Sequence, residues 1–136
     1  MKIVAIEVER LRLPLDPPFF AAWDPVPRTS FGTTLVRVRT DEGITGYGSG
    51  STMAGFEDYA GLFTGRDPLA IGEHVRTLEQ IAVQAGRYWA VEAALWDIAG
   101  QACGLPVAAL LGAGSQGIAC YASFGEARGP QARAEA

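Results

Sequence analysis

An α+β domain, strands first and helices afterwards, is the fold class this sequence predicts. Three observations predict it: apolar residues alternate in the strand manner between Ile3 and Ser49, a period near that of a helix replaces the alternation from Phe56 onward, and glycine and proline punctuate the boundaries. The expected architecture is a three-stranded antiparallel sheet followed by a helical subdomain. With 136 residues, 49% of them hydrophobic and 19% charged, the chain can bury a core of its own. Disorder would need fewer apolar residues and more charge.

Residues Ile3 to Leu13 form the first strand. Val4, Ile6 and Val8 share one face, whereas Leu11 and Leu13 take the opposite parity, so a bulge or twist is expected near Arg10. The proline-rich stretch from Pro14 to Ser30 reads as an irregular loop, because proline removes a donor and fixes the backbone. It carries the large aromatics Phe19, Phe20 and Trp23. Thr33 to Thr40 is the second strand, with Val36 and Val38 on one face and Arg37 and Arg39 on the other. Asp41-Glu42-Gly43 closes a hairpin with Gly43 in the left-handed position, and Ile44 to Ser49 is the third strand.

Phe56, Tyr59, Ala60 and Phe63 have helical spacing and predict a short amphipathic helix. Asp67-Pro68 reads as an N-cap followed by proline at the first helical position, and the stripe of the next helix is Ile71, Val75, Leu78 and Ala82. A third helix spans about Arg87 to Ala102, with a wide apolar face built on Val91, Leu95, Ile98 and Ala102, beside Trp89, Ala93 and Trp96. Gly104 stops it and Pro106 follows. Ile118 to Ser123 reads as a further strand, Gly125 to Pro130 as a loop, and Gln131 to Ala136 as the first turn of a helix that simply stops.

Composition narrows the function classes. Eleven basic residues against 15 acidic ones give a formal charge of −4, and no basic patch stands out, so nucleic acid is not an expected partner. Lys2 is the chain's single lysine, which nearly excludes a Schiff-base or catalytic lysine here. No apolar run approaches the roughly 20 residues that span a bilayer, and the charged start is no signal peptide. Cys103 and Cys120 are too few for a disulfide framework, which points to reduced thiols in the cytoplasm, Cys103 being expected to be buried. One histidine and two cysteines make a zinc site improbable.

The segment Tyr88 to Gly112, YWAVEAALWDIAGQACGLPVAALLG, resembles a helix motif of the mandelate racemase and muconate lactonizing family of the enolase superfamily. The stretch Val38 to Gly48, VRTDEGITGYG, is similar to that family's hairpin. Ser49 stands where members often carry Glu, and Ala113 where they often carry a second glycine, so no subgroup is selected. The resemblance implies an enolase-like N-terminal capping domain over residues 1–115, and the truncated start of a TIM-type (β/α) barrel over residues 116–136. A barrel takes roughly 250 residues.

The family's shared step is removal of the proton α to a carboxylate. The resemblance therefore implies a racemase, epimerase or acid-sugar dehydratase that depends on Mg²⁺, acts on a small carboxylate and assembles as a homo-oligomer. Its metal ligands and bases would lie on the missing C-terminal barrel domain. No catalytic and no metal-ligating residue is expected within this chain, which alone should be inactive. What the chain would supply is a lid of two loops, one at Pro14 to Ser30 and one near Ser49 to Gly55. The candidate substrate-binding residues are Phe19, Phe20, Trp23, Ser51, Thr52 and Met53, together with Tyr121 and Ser123 at the end of the presumed first barrel strand.

Each candidate has a plainer alternative. The loop aromatics could be anchors that tack a long loop down. Gly46-Tyr47-Gly48-Ser49-Gly50 is only superficially a phosphate cradle, because it lies in a hairpin, where sheet geometry explains it better. Glu92 and Asp97 fall on different faces of one helix and read as hydrogen-bonding or interdomain residues. His74, between Glu73 and Arg76, reads as solvated. A free-standing α+β binding or interaction module is the alternative for the chain as a whole.

Overall fold

Alternation and turn chemistry produce the expected sheet. In the computed structural model, which describes residues 1–50, 53–112, 117–121, 123 and 125, three strands are hydrogen-bonded in the order β1 (Ile3–Phe19), β2 (Arg28–Thr40), β3 (Thr45–Gly50). Gly43 turns the hairpin at φ 84°, donating to the Thr40 carbonyl, and β2 then pairs antiparallel with β3, setting Val36 opposite Gly48 and Val38 opposite Gly46. Val36 and Val38 are fully buried. On the other face Arg39 pairs with Glu7 at 3.2 Å, and Arg37 pairs with Glu9, so the charged residues of β2 find partners across the sheet.

Two compact units result: Met1–Leu11 with Thr33–Gly114, and Arg12–Gly32 with Ser115–Ala136. In the first unit α1 (Ile71–Ala82), α2 (Trp89–Cys103) and the short α3 (Val107–Leu110) follow the sheet. The core gathers Ile3, Val36, Val38, Met53, Phe56, Phe63, Leu78, Ile81 and Tyr88 around the buried face of α2. No helix among the described residues is long and apolar enough to cross a membrane.

α2 sits unusually close to β3, and glycine makes that possible. A Cβ on Gly46 would stand 2.0 Å from the Ala94 carbonyl oxygen, and one on Gly48 would stand 1.9 Å from that of Ala90. Alternate glycines thus open one face of β3 to a helix that presents Ala90, Ala94 and Ile98 at every fourth position. The helix ends as its sequence requires: Gly104 adopts the left-handed conformation at φ 64°, its N–H bonds the Gln101 carbonyl, and Leu105 N–H reaches back to the Gly100 carbonyl.

Several elements differ from expectation. β1 continues through the prolines to Phe19, and β2 begins at Arg28, so the expected loop is largely strand and only its tip is irregular. Beyond Leu11 the residues of β1 are exposed or half-buried, a setting in which proline is tolerated. At the start of β1, Ile3 rather than Val4 is buried, while Ile6 and Val8 pack inward. The short amphipathic helix is instead a pair of 3-10 turns, Phe56–Asp58 and Ala60–Leu62, entered through Gly55 at φ 78°.

The Asp67 side chain caps a turn by accepting from Leu69 N–H at 3.0 Å, and α1 starts later, at Ile71. Its buried residues are His74, Leu78 and Ile81, so the stripe is rotated from the expected one. Pro106, expected only to follow a helix end, opens α3. Cys103, expected inside, is exposed, as is Cys120. Gln101, Ala102 and Cys103, the last turn of α2, are all exposed to solvent. Residues 117–121 form no strand pairing.

Candidate functional site

The aromatic loop belongs to the second unit, and its backbone is held by its own polar groups. Asp24 is the centre: one carboxylate oxygen accepts from Val26 N–H at 3.1 Å and the other from Arg28 Nε at 3.1 Å. The Val26 N–H, and then the Arg28 guanidinium, hold the Asp24 carboxyl below the usual carboxylate range. Asp24 N–H also closes a turn on the Ala21 carbonyl, and Arg12 Nε donates to Ser30 Oγ at 2.8 Å between the two strands. A loop so braced can present large side chains in a fixed direction.

Phe19, at the end of β1, meets Trp23 edge-to-face with ring centroids 6.5 Å apart and an interplanar angle of 62°. Trp23 is nevertheless 67% exposed and Phe20 56% exposed. Phe20 and Trp23 are thus large apolar side chains that the loop leaves in solvent. Ala22 N–H donates to the Gly125 carbonyl at 2.8 Å, so the loop is tied to the far end of the chain within the same unit.

The other candidates are dispersed. Met53 is 2% exposed and lies in the core of the first unit, where its side chain anchors the segment after β3 and presents nothing to a ligand. Ser51 and Thr52 lie outside the described residues. Tyr121 is 88% exposed and Ser123 is also exposed; among the described residues neither has a side-chain hydrogen bond. The structure therefore joins Phe19 to Trp23, with Phe20 beside them in sequence, and keeps Met53 in a different unit.

Asp97, read from the sequence as a hydrogen-bonding or interdomain residue, bonds the sheet edge together with Gln101, whose role spacing did not assign. Asp97 accepts from Tyr47 N–H at 2.8 Å and from Gln101 Nε2 at 3.1 Å, while Gln101 also donates to the Thr45 carbonyl at 2.9 Å. β3 is an edge strand, and these two helix side chains satisfy the outward backbone groups of Thr45 and Tyr47. The i,i+4 spacing of Asp97 and Gln101 on α2 was the available signal.

His74, expected in solvent, is fully buried. Its Nε2–H donates to the Asp67 carbonyl at 2.8 Å, its ring stacks on Phe63, and its Nδ1 has no partner among the described residues. A carbonyl only accepts, which places a proton on Nε2. The role is structural: the ring fills the space between α1 and the 3-10 turns.

Tyr88 closes the same side of the core, donating to the Ala54 carbonyl at 2.8 Å; burial pushes its hydroxyl above its ordinary value. Among the described residues no group of three or more His, Cys, Asp or Glu comes together, so a metal ion is offered no set of ligands there.

The sequence model of the family described as "Mandelate racemase / muconate lactonizing enzyme, N-terminal domain" matches residues 4–112. The chain is 32% identical over 143 aligned positions to cis-3-hydroxy-L-proline dehydratase of Roseibium aggregatum, an alignment covering 93% of this chain and 38% of that protein. It is 37% identical to D-galactonate dehydratase of Xanthomonas axonopodis pv. citri over 91 positions, 57% of this chain and 24% of that one. In three dimensions it resembles the dipeptide epimerase of Enterococcus faecalis V583, a crystal structure with Mg and the dipeptide L-Leu-L-Tyr, with a TM-score of 0.69, 27% identity, and coverage of 82% of this chain and 34% of that one. The chain thus spans between about a quarter and two fifths of the length of these proteins.

Proposed function

The chain belongs to the mandelate racemase/muconate lactonizing enzyme family through its N-terminal domain, and from that premise we propose that it is the cover and specificity element of an enzyme that removes the proton α to a carboxylate. The match over residues 4–112 carries this proposal. The bond chemistry, with its divalent cation and its bases, is assigned to a barrel domain of the same protein. One fact supports that division: the relatives extend well beyond the matched region. The domain boundary is placed near residue 115.

The contribution of these residues is binding and exclusion of water. Phe20 and the exposed part of Trp23 supply apolar wall; Phe19 fixes the orientation of Trp23, and the Asp24–Arg28 bracing holds the loop against closure strain. An apolar cover lowers the local dielectric and strengthens every electrostatic contact beneath it. Contacts remote from the reacting carbon also discriminate among substrates. Tyr121 and Ser123, with Ser51 and Thr52 of the second loop, are proposed as further contacts to the distal part of the substrate. The substrate class is a small carboxylate such as an acid sugar, a hydroxylated cyclic amino acid or a dipeptide. The reaction is a dehydration or a racemisation/epimerisation, both of which begin with the same proton abstraction.

The test is proton exchange. The natural gene product, supplied with Mg²⁺, is incubated in D₂O with members of each substrate class, and loss of the α-proton signal is followed by NMR. Exchange in at least one class is the expected outcome. A gene product of this length that is soluble and compact and exchanges no α-proton would overturn the proposal in favour of a binding module.

A further inference from the structure

Gly125 is a glycine for a steric reason. Its φ lies outside the left-handed region, so its backbone conformation is open to any residue. The space where a side chain would begin is taken instead: a Cβ built there would stand 2.6 Å from Trp23 Cη2, 3.1 Å from Trp23 Cζ3 and 3.3 Å from Phe19 Cζ. The Gly125 carbonyl simultaneously accepts the Ala22 N–H at 2.8 Å. One residue therefore meets the tip of the loop twice, once through its bare Cα against the ring edge and once through its backbone oxygen.

We propose that Gly125 is the positioning residue of the aromatic loop, a seat that sets where the indole of Trp23 stands and so how far it reaches toward the distal end of a bound carboxylate. The functional half of this proposal rests on the lid role given above; the seat itself stands on the contacts.

The physical consequence is specific. The two nearest atoms are the far end of the exposed Trp23 side chain, which can swing away, while the half-buried Phe19 need give by only a few tenths of an ångström, and so a methyl group at position 125 displaces the indole without unfolding the domain. A residue needed only for stability would behave in the opposite way.

In the natural enzyme labelled with fluorotryptophan, the ¹⁹F resonance of Trp23 is identified by its loss in Trp23→Phe. In Gly125→Ala the Trp23 resonance is expected to move and the contacts between the rings of Trp23 and Phe19 to vanish from NOE spectra, with the melting temperature unchanged. Gly125→Ala combined with Trp23→Phe, whose smaller ring clears the methyl, is expected to recover the contacts to Phe19. In the natural enzyme, Gly125→Ala should raise KM by about tenfold with a smaller change in kcat.

An unmoved Trp23 resonance with intact ring contacts in Gly125→Ala would overturn the seat. If the ring moves and Trp23→Ala alters KM but Gly125→Ala does not, the seat fails as a determinant of binding while the lid role survives. If neither substitution alters KM although the ring moves, the lid role itself fails and takes the functional half of the proposal with it.

Discussion

Gly48→Ala is the sharpest perturbation of this fold. The added Cβ would lie 1.9 Å from the Ala90 carbonyl oxygen, 2.9 Å from the Ala90 carbonyl carbon and 3.1 Å from the Ala94 nitrogen, all of them backbone atoms within α2 that no rotamer change can move. To bring the closest contact to a tolerable separation, α2 must retreat from β3 by about 1 Å, a gap that forfeits roughly a quarter to a half of each dispersion contact along the interface. The residues affected include Ala90, Ala94, Leu95 and Ile98, the buried spine of the helix. Overpacking with backbone displacement puts the loss at about 3 kcal/mol, a large part of the roughly 5–15 kcal/mol that holds a domain of this size folded.

Urea unfolding followed by far-UV circular dichroism reads the effect. With a slope of about 1.5 kcal/mol per molar, the midpoint should fall by about 2 M. Gly46→Ala should behave alike, since its Cβ would stand 2.0 Å from the Ala94 carbonyl oxygen. Gly50→Ala meets only side-chain atoms, the nearest at 3.2 Å, and should be mild; Gly61→Ala, with nothing within 4 Å and no left-handed backbone, serves as the neutral control. A midpoint for Gly48→Ala no lower than that of Gly50→Ala would refute the close-approach argument.

Three further outcomes are expected. Asp97→Ala strands the Tyr47 N–H on the sheet edge and should cost about 1–2 kcal/mol while speeding hydrogen exchange at Tyr47, with Asp97→Asn milder because an acceptor oxygen remains; an unchanged Tyr47 exchange rate would contradict this. His74→Ala removes a buried ring and its bond to the Asp67 carbonyl, a loss of about 2–4 kcal/mol on thermal unfolding, whereas His74→Phe keeps the ring and should lose only about 1–2 kcal/mol. Burial raises the Tyr88 hydroxyl above its ordinary 10.0, so the folded state holds a proton that the unfolded state releases. Stability should therefore be intact below that pH and decline as the pH rises from the ordinary value through the folded one, a decline that Tyr88→Phe removes in melting temperatures measured across alkaline pH.

Local chemistry accounts for what could be read along the chain. The Asp41-Glu42-Gly43 turn, the alternation of Val36 and Val38 with Arg37 and Arg39, and the Gly104 helix end each depend on residues within a few positions of one another. They form as expected. The motif between Tyr88 and Gly112 was legible for the same reason: a helix face and its stop are written contiguously. In the candidate site, Phe19, Phe20 and Trp23 announced themselves as large aromatics in a stretch otherwise rich in turn formers. Errors arose where a pattern was right but the tertiary partner was unknown. Asp67-Pro68 has the composition of a helix start, yet its side chain serves a turn and the helix waits until Ile71. Phe56, Tyr59, Ala60 and Phe63 keep a common side inward, but glycines at positions 55 and 61 leave the backbone free to follow 3-10 geometry.

The order of strands before helices, the span of α2, the family and the aromatic composition of the loop were settled by the order of residues alone, because hydrophobic periodicity and turn preference act between near neighbours. Which polar groups face inward, and which glycines are irreplaceable, was decided only in three dimensions. His74 is buried because Asp67 and Phe63 receive it, Asp97 matters because Tyr47 lies on an exposed edge, Gly48 must lack a side chain because the Ala90 backbone already occupies the space, and Gly125 leaves room for the ring of Trp23. Those constraints couple residues between seven and about a hundred positions apart, and steric exclusion has no signature in sequence until both partners stand in place.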